Sequence, residues 1–346
     1  MRWELLLLPL EPLWLAAVRA RAEAYRRGLA RTERLPVPVV SVGNLSFGGS
    51  GKTPTVISLV RDLVRRGRRP AVLTRGYRRR GREPLVVTGP ESELTAEQAG
   101  DEPVEISRQL PGVPVVVDAD RCRGGLTAVG LGADTVVLDD GFQHRRLVRD
   151  LDLVLLDAAD PWAGGHLPPR GRLREPLSAL SRASAVLVTK LSRGEETVLA
   201  AIAQRTSAVA PGVPVLGART RLRRLRTPDG PIAAGELEGR RVLAFAGLGR
   251  PQGFADLLAA AGAEVVLCRW FADHHHYREQ DLFEVLAAAK REELVAVTTA
   301  KDAVKLPADA AVWVAEIEVE PVDGDWQRLW QLCPALAGEV PQNPAP

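Results

Sequence analysis

Cysteine is scarce in this chain. Its 346 residues include three cysteines, Cys122, Cys268 and Cys333, which lie far apart and form no CxxC pair. An odd number of widely spaced cysteines excludes a disulfide framework and offers no zinc-knuckle pattern. The sequence therefore predicts a protein of a reducing compartment such as the cytosol.

Lysine is also scarce, with five copies among the 46 lysines and arginines. Arginine thus carries nearly all of the positive charge, and the formal net charge of the chain is only +3. We attribute most of the arginine excess to genome composition and expect no nucleic acid partner. A lysine that stands inside a motif is correspondingly more informative, which bears on Lys52 below.

The chain lacks a long, uninterrupted apolar run. Its most apolar stretch, residues 3–18 (WELLLLPLEPLWLAAV), is broken by Pro9, Glu11 and Pro12 and is too short to span a bilayer. The arginines that follow it disfavour a cleaved signal peptide. Apolar residues at three- and four-residue spacing would line one helical face. Such a helix could lie in a membrane interface, which the dense arginines favour, or pack on the protein's own core.

Beyond residue 34, short β-branched runs alternate with helical patterns. This alternation predicts an α/β fold with a mostly parallel sheet and helices on both faces. One helix is predicted from Lys52 to about Arg66, where Gly67 ends it. The predicted strands are Val37–Val42, Pro70–Thr74, Val113–Val117, Asp134–Leu138, Leu151–Leu156, Ala185–Thr189, Val242–Ala246, Val265–Leu267, Leu294–Thr298 and Ala311–Val314.

The chain is expected to have three parts. Residues 1–34 would form an N-terminal amphipathic helix at a membrane interface, residues 35–220 a P-loop (phosphate-binding loop) domain, and residues 221–346 a smaller α/β domain. The last boundary lies within residues 205–240, where a basic segment, TRLRRLRTPDG, interrupts the alternating pattern. The smaller domain would close over a cleft beside the P-loop domain.

A glycine-rich turn lies between the first predicted strand and the first predicted helix. The sequence SVGNLSFGGSGKTPTV approximates the pattern G-x-x-x-x-G-K-[ST], although Ser46 replaces the first glycine. Backbone N–H groups of this turn and the helix N-terminus would bind phosphate, Lys52 would contact the β- and γ-phosphates, and Thr53 would ligate Mg²⁺. The simpler alternative is a turn that caps an ordinary helix. The predicted nucleotide-binding residues are Gly48, Gly49, Ser50, Gly51, Lys52 and Thr53.

Two further motifs supply carboxylates. Asp139 and Asp140 end an apolar strand in TVVLDDG, where a P-loop enzyme holds its Mg²⁺ shell, although Asp-Asp-Gly is also an ordinary turn. His144, which follows in FQHRR, could contact the same metal or a phosphate. In GDEP, Asp101 and Glu102 could be a base and a metal-shell ligand, or Asp101 could simply cap a helix.

The segment FADHHHYREQDL places three consecutive histidines after Asp273. Adjacent side chains in an extended segment point to opposite sides, so at most two of these histidines could share one metal. No partners at ligand spacing accompany them, and a zinc site is not indicated. A single histidine that acts with a carboxylate across a cleft is the more interesting reading, and a surface loop is the alternative.

Taken together, these motifs resemble those of tetraacyldisaccharide 4'-kinase, the lipid A kinase of Gram-negative bacteria. The resemblance covers roughly residues 35–306. It rests on VPVVSVGNLSFGGSGKTPTV, LTRGY, GDEPV, LDDGFQHRRL, LREPLSAL, AFAGLGRPQGF, FADHH and TTAKDAVKL, in that order.

The resemblance implies a membrane-associated enzyme that uses ATP and Mg²⁺. It would transfer the γ-phosphoryl group of ATP to the 4'-hydroxyl of a tetraacylated glucosamine disaccharide 1-phosphate, at the cytoplasmic face of the inner membrane. It also implies that the N-terminal helix meets the membrane rather than the protein's own core.

Matching positions in the motifs imply roles for individual residues. Asp101 would be the base that takes the proton of the sugar hydroxyl, and His274 would orient or tune it. Lys52 would neutralise phosphate charge during transfer. The metal and phosphate shell would consist of Thr53, Glu102, Asp139, Asp140 and His144. Arg75 and Tyr77, in LTRGY, are expected to face the substrate.

Two departures from the family's pattern leave local roles open. Residues 164–172 read GGHLPPRGR, unlike the family's usual segment before LREP, and Ala300 replaces a usual glutamate in TAKD. A second function also stays open at this point, namely a membrane-associated ATPase or GTPase switch that binds a protein partner. The paired GDEP and DHH motifs favour the kinase, because a switch has no need of a base and an imidazole across a cleft.

Overall fold

A computed structural model describes residues 10–76, 79, 83–89 and 94–338 of the chain. Two 3₁₀ helices, Leu177–Arg182 and Ala234–Leu237, accompany the α-helices of this part. The α-helices are α1 (Leu10–Arg26), α2 (Lys52–Arg65), α3 (Ala96–Ala99), α4 (Asp101–Gln109), α5 (Arg121–Gly130), α6 (Glu196–Val209), α7 (Gln252–Ala260), α8 (Glu279–Arg291), α9 (Ala300–Ala303), α10 (Gln327–Trp330) and α11 (Pro334–Ala337).

The strands of the described residues form one connected sheet in the order β11-β10-β12-β13-β8-β7-β6-β1-β5-β2-β4-β3, with β9 paired to β8. They are β1 (Val39–Asn44), β2 (Pro70–Thr74), β3 (Leu85–Thr88), β4 (Pro114–Val117), β5 (Thr135–Asp139), β6 (Leu151–Asp157), β7 (Ala185–Thr189), β8 (Val215–Thr227), β9 (Gly230–Ala233), β10 (Arg241–Ala246), β11 (Glu264–Trp270), β12 (Val295–Thr299) and β13 (Trp313–Pro321). Each predicted strand overlaps an observed one, and the predicted α/β class with a mostly parallel sheet is confirmed.

The central strands are buried on both faces, because their alternate side chains enter two different cores. Val72, Val115 and Val137 pack in one core with apolar residues of α2. Their chain neighbours Leu73 and Val116 pack in another core, with Cys122 and Ala128 of α5. Helices therefore cover both faces of the sheet, as expected for near-continuous β-branched strands joined in parallel.

Strand β8 connects the two halves of the sheet. Its beginning pairs in parallel with β7, at Val215 to Gly217. The rest of the same strand pairs antiparallel with β13, from Ala218 to Arg226. The expected boundary at residue 220 thus falls inside a continuous strand, and the division into two domains stays a prediction.

Helix α1 is amphipathic but none of its residues is fully buried. Leu13 is 65% and Trp14 41% exposed, so much of its apolar face meets solvent. The more N-terminal part of the predicted helix, residues 3–9, lies outside the described residues. Within the residues that are described, no helix combines the length and apolar character needed to cross a bilayer.

Candidate active site

The predicted phosphate loop forms the turn between β1 and α2. Gly51 is the N-cap of α2, with a left-handed φ of 81°, and Gly48 has a φ of 118°. Both conformations favour glycine, which has no Cβ to clash with the backbone. Lys52 and Thr53 begin the helix, so the backbone N–H groups of its first turn and its positive dipole end face the same space.

The end of β7 holds this loop in place. The Thr189 hydroxyl donates to the carbonyl of Ser50 at 2.9 Å. The Lys190 ammonium donates to the carbonyl of Gly49 at 2.7 Å and to Asp157 at 2.8 Å. The buried Ser50 hydroxyl has no hydrogen-bond partner within the described part of the chain, so it remains available to a ligand.

Asp140 lies between two cations. Its carboxylate is 3.8 Å from the Lys52 ammonium and accepts hydrogen bonds of 2.9 and 3.0 Å from Arg174. Burial opposes ionisation of Asp140, but the charges of Lys52 and Arg174 outweigh it and lower the pKa. Arg174 also donates to Gln143 at 3.2 Å. Lys52 and Asp140, two of the predicted site residues, thus lie close together.

Asp139 is the more deeply buried of the two aspartates. Burial raises its pKa to about 8, and the nearby charges of Glu102 and Asp140 add to the rise. Its Oδ1 atom has no hydrogen-bond partner among the described residues. A buried, partnerless carboxylate oxygen is costly unless a cation or donor arrives, so this atom fits a metal or a metal-bound water.

Glu102 belongs to the same group of carboxylates. Burial raises its pKa, and the charge of Lys52 offsets only part of this rise. No three or more His, Cys, Asp or Glu side chains of the described residues converge as a complete metal site. A Mg²⁺ ion bound with a nucleotide needs fewer protein ligands, because phosphate and water oxygens supply the remainder.

Asp101 and His274 contact each other. His274 Nδ1 lies 3.1 Å from Asp101 Oδ2, although 173 residues separate them in the chain. Asp101 is the first residue of α4, and its N-cap is Gly100. The capping alternative is therefore wrong for Asp101, whose carboxylate contacts the imidazole. The Lys305 ammonium lies 3.9 Å from the same carboxylate oxygen.

The loop that carries His274 is held by the TAKD segment. Lys301 pairs with Asp273 at 2.7 Å. Asp302 accepts from the backbone N–H of Gly247 at 3.1 Å and pairs with Lys305 at 3.1 Å. Ala300, which departs from the family's pattern, only begins helix α9. Lys301 and Asp302 thus support the Asp101–His274 pair.

His144 lies in a cationic environment. Burial lowers its pKa to about 4, and the positive charges of Arg121 and Arg149 lower it further. The imidazole is therefore neutral at pH 7, and its Nε2 atom is buried without a partner in the described structure. Such surroundings suit an anionic ligand better than Mg²⁺, because the arginines repel a cation.

Arg75 follows strand β2 and its side chain is exposed. Tyr77, the other predicted substrate residue, lies outside the described residues. Near Arg75 lies Arg121, which is buried and donates to the carbonyl of Asp118 at 2.6 Å. Burial lowers the pKa of this guanidinium, whereas the negative charges of Asp139 and Asp140 raise it.

Sequence reasoning missed three residues of this site, Arg121, Arg174 and Lys190. Two of them follow the carboxyl ends of parallel strands, where open α/β sheets bind their ligands: Lys190 comes directly after β7, and Arg121 a few residues after β4. That position could have identified both. Arg174 lies in a loop far along the chain from Asp140, and no local pattern signals their contact.

The sequence matches a known family over most of its length. Residues 3–333 match the family described as tetraacyldisaccharide-1-P 4'-kinase. A tetraacyldisaccharide 4'-kinase of Anaeromyxobacter sp. (strain Fw109-5) is 44% identical over 345 residues, which is 96% of this chain and 92% of the relative. Another from Geobacter sulfurreducens is 40% identical over 88% of this chain and 86% of the relative.

A solved structure also resembles this one. It is a crystal structure of LpxK from Aquifex aeolicus in complex with ATP, with a TM-score of 0.76 and 33% sequence identity. The match covers 94% of this chain and 96% of the Aquifex chain. These likenesses confirm the predicted kinase and decide against the switch protein. The chain belongs to the tetraacyldisaccharide-1-phosphate 4'-kinase family.

Proposed function

We propose that this chain transfers the γ-phosphoryl group of ATP to the 4'-hydroxyl of a tetraacylated disaccharide 1-phosphate in lipid A synthesis, with Asp101 as the base. The observation that carries this proposal is the contact between Asp101 Oδ2 and His274 Nδ1 at 3.1 Å. A sugar hydroxyl is a weak acid, so it needs a positioned acceptor for its proton as the new O–P bond forms.

His274 orients Asp101. The imidazole presents a ring nitrogen to one carboxylate oxygen, which leaves the other oxygen for the sugar hydroxyl. The Lys305 ammonium adds positive charge at 3.9 Å. In this arrangement one residue acts as the catalytic base and a second residue orients it, as in other enzymes.

The phosphate loop binds the nucleotide. The backbone N–H groups of Gly48, Gly49, Ser50 and Gly51 would bind the phosphates of ATP, and the Lys52 ammonium would neutralise charge on the transferred group. Phosphoryl transfer depends mainly on position and charge neutralisation, so these groups supply most of the catalysis.

Mg²⁺ fits the carboxylate group beside this loop. Thr53 and Asp139 would hold the ion, because Asp139 has a buried oxygen without a partner. Glu102 and Asp140 would hold its water shell. When bound, the ion neutralises charge on the β- and γ-phosphate oxygens. His144 is assigned to an anion rather than to this ion, because Arg121 and Arg149 surround it.

The lipid approaches from the side of helix α1. Its exposed apolar residues and the arginines that follow suit the interface of a membrane with anionic head groups. Arg75, Tyr77 and Arg121 are assigned to the phosphate and sugar of the lipid. The protein would thus act as a peripheral enzyme at the cytoplasmic face of the inner membrane.

The test is label transfer from γ-labelled ATP to detergent-dispersed tetraacyl disaccharide 1-phosphate, with Mg²⁺. The wild type should label the lipid, and Lys52→Ala should not. Asp101→Asn should lower kcat by about a hundredfold or more while ATP affinity stays near that of the wild type. An Asp101→Asn protein that works at the wild-type rate would refute the role of the base. ATP hydrolysis by the wild type without labelled lipid would refute the acceptor.

A further inference from the structure

Helix α1 is attached to the body of the protein through Glu11. The Glu11 carboxylate accepts a hydrogen bond from the backbone N–H of Leu167 at 3.1 Å and pairs with Arg170 at 3.0 Å. His166 Nδ1 lies 3.3 Å from the same carboxylate. All three partners belong to residues 166–170, the segment that departs from the family's usual pattern.

The Glu11 carboxylate is suited to this contact. Its side chain is 18% exposed, on a helix that is otherwise largely open to solvent. Partial burial opposes its ionisation, but the hydrogen bond from Leu167 and the charge of Arg170 outweigh it and lower the pKa. The other described carboxylate of α1, Glu23, pairs with Arg26 of the same helix and with Arg27, the residue that follows it. Glu23 is therefore a matched control.

The segment that Glu11 contacts, residues 166–174, also contacts the start of the phosphate loop. Leu173 donates its N–H to the carbonyl of His166 at 3.0 Å, and Phe47 donates to Arg172 at 2.8 Å. The indole of Trp14, also on α1, donates to the carbonyl of Arg174 at 3.2 Å. Helix α1 thus contacts both ends of residues 166–174, next to the start of the phosphate loop.

Arg174 connects residues 166–174 to the phosphate loop. Its guanidinium binds Asp140 at 2.9 and 3.0 Å, and Asp140 lies 3.8 Å from the Lys52 ammonium. Only a few hydrogen bonds therefore separate Glu11 from the lysine of the phosphate loop. A shift of residues 166–174 would move Arg174, and Asp140 would lose one of the two cations that hold it.

We infer that Glu11 is a positioning residue for phosphoryl transfer, because it locks residues 166–174 so that Arg174 holds Asp140 beside Lys52. Helix α1 is then part of the active site as well as a lipid-facing element. The inference rests on the proposed roles of Lys52 and Asp140. It contrasts with a helix that only anchors the protein to the membrane.

The test compares Glu11→Ala with Glu23→Ala in detergent micelles, where membrane anchoring is not required. Glu11→Ala should lower kcat for lipid phosphorylation by about tenfold, the size expected of a small misplacement at a reacting centre. Its affinity for ATP and its binding to vesicles of anionic phospholipid should equal those of the wild type. Glu23→Ala should match the wild type in all three measurements.

A double-mutant comparison shows whether Glu11 acts through Arg174. In an Arg174→Ala background, Glu11→Ala should lower kcat by less than about twofold, because the group it positions is gone. Arg170→Ala changes a partly exposed residue and should reproduce the effect of Glu11→Ala. It replaces Glu11→Ala in the test if that variant does not fold.

Three results would overturn the inference: wild-type kcat in Glu11→Ala, a loss confined to vesicles and matched by lost vesicle binding, or full additivity with Arg174→Ala. A wild type that labels no lipid would instead refute the proposed function.

Discussion

At the scale of single residues, Glu105 is a carboxyl group buried close to the catalytic pair. It lies one helical turn after Asp101 in α4 and is 6% exposed. Burial, followed by the charge of Glu102, raises its pKa to about 8, and its Oε1 accepts from Gln109 at 3.2 Å. At pH 7 the folded protein therefore keeps a proton on Glu105 that the unfolded chain releases.

This burial makes stability depend on pH. Between the unfolded pKa near 4.5 and the folded pKa of about 8, the folded state binds more protons at Glu105, so the free energy of unfolding falls as pH rises. The slope from one such group is at most about 1.4 kcal/mol per pH unit. Glu105→Gln keeps the shape and removes the titration, so its stability should fall less steeply.

Urea unfolding between about pH 5 and pH 8 measures this slope. Part of it should remain in Glu105→Gln, because burial raises the pKa of Asp139 in the same direction. Glu264→Gln, at an exposed position, should keep the wild-type slope. Equal slopes in the wild type and Glu105→Gln would show that Glu105 is ionised in the folded protein.

At the scale of elements, the end of β7 shapes the phosphate loop from outside the loop's own sequence. Lys190 donates to the carbonyl of Gly49 and pairs with Asp157 of β6, so it ties two strand ends to the loop. The Thr189 hydroxyl donates to the carbonyl of Ser50, so the end of β7 holds two neighbouring carbonyls of the loop. These contacts fix the shape of the loop, in which the N–H of Ser50 also donates to the carbonyl of Gly48 at 3.2 Å.

Removing this contact should weaken ATP binding more than catalysis. Lys190→Ala loses a charge-assisted hydrogen bond at a partly exposed site, which corresponds to about 1 kcal/mol, or about a fivefold rise in KM for ATP. The kcat should change little, because Lys52 and Asp101 are untouched. Steady-state kinetics with varied ATP measure the effect, and Arg193→Ala, in the exposed turn that follows, is the control. A fall in kcat at unchanged KM would contradict it.

The sequence could predict the elements that carry a simple period. The parallel strands are β-branched runs between helical patterns, and the helix that starts at Lys52 follows a recognisable turn. The hairpin of β8 and β9 was missed, because TRLRRLRT reads as a basic linker. In the structure, Leu222 and Leu225 point into the core. The arginines between them, Arg223 and Arg224, pair with Glu316 of β13, which lies 92 residues after Arg224.

The sequence also indicated part of the candidate site, as it indicated part of the fold. Asp101, Asp140 and Lys52 belong to short motifs of the sequence, and their roles stay predictions. The structure places Lys52 3.8 Å from Asp140, and Asp101 3.1 Å from His274. Other contacts at the site could not be predicted from the sequence. Arg174 meets Asp140, and Glu11 meets Arg170, only because the fold brings distant loops together, and no spacing in the sequence records those contacts.

At the scale of the whole molecule, the C-terminal half returns to pack on the P-loop half. The N–H of Val319, in β13, donates to the Ser58 hydroxyl of α2 at 2.9 Å. The indole of Trp330 donates to Asp62 of the same helix at 2.7 Å. Trp326 and Trp330 also share a core with α2. The pair β8–β13 and this returning segment therefore attach the C-terminal half to helix α2.

The ion pairs between β8 and β13 should contribute unequally to the free energy of unfolding, depending on how deeply each pair is buried. Glu316 is 3% exposed and pairs with Arg224 at 2.6 Å, whereas Glu318 pairs with Arg221 at 2.7 Å with its side chain 25% exposed. Removing one partner of a buried pair leaves the other charge poorly compensated, so Glu316→Gln should lower the free energy of unfolding by about 2 kcal/mol. Glu318→Gln should lower it by less than about 1 kcal/mol, because water screens that pair.

Urea unfolding of the two variants measures this difference. Because β8 joins both halves of the sheet, loosening the pair at Glu316 should also disturb the approach of His274 to Asp101, and kcat should fall with stability. Glu318→Gln should keep the wild-type kcat. Equal losses of stability in both variants would show that burial of Glu316 does not govern the junction, and that hydrogen bonds between the strand backbones hold it.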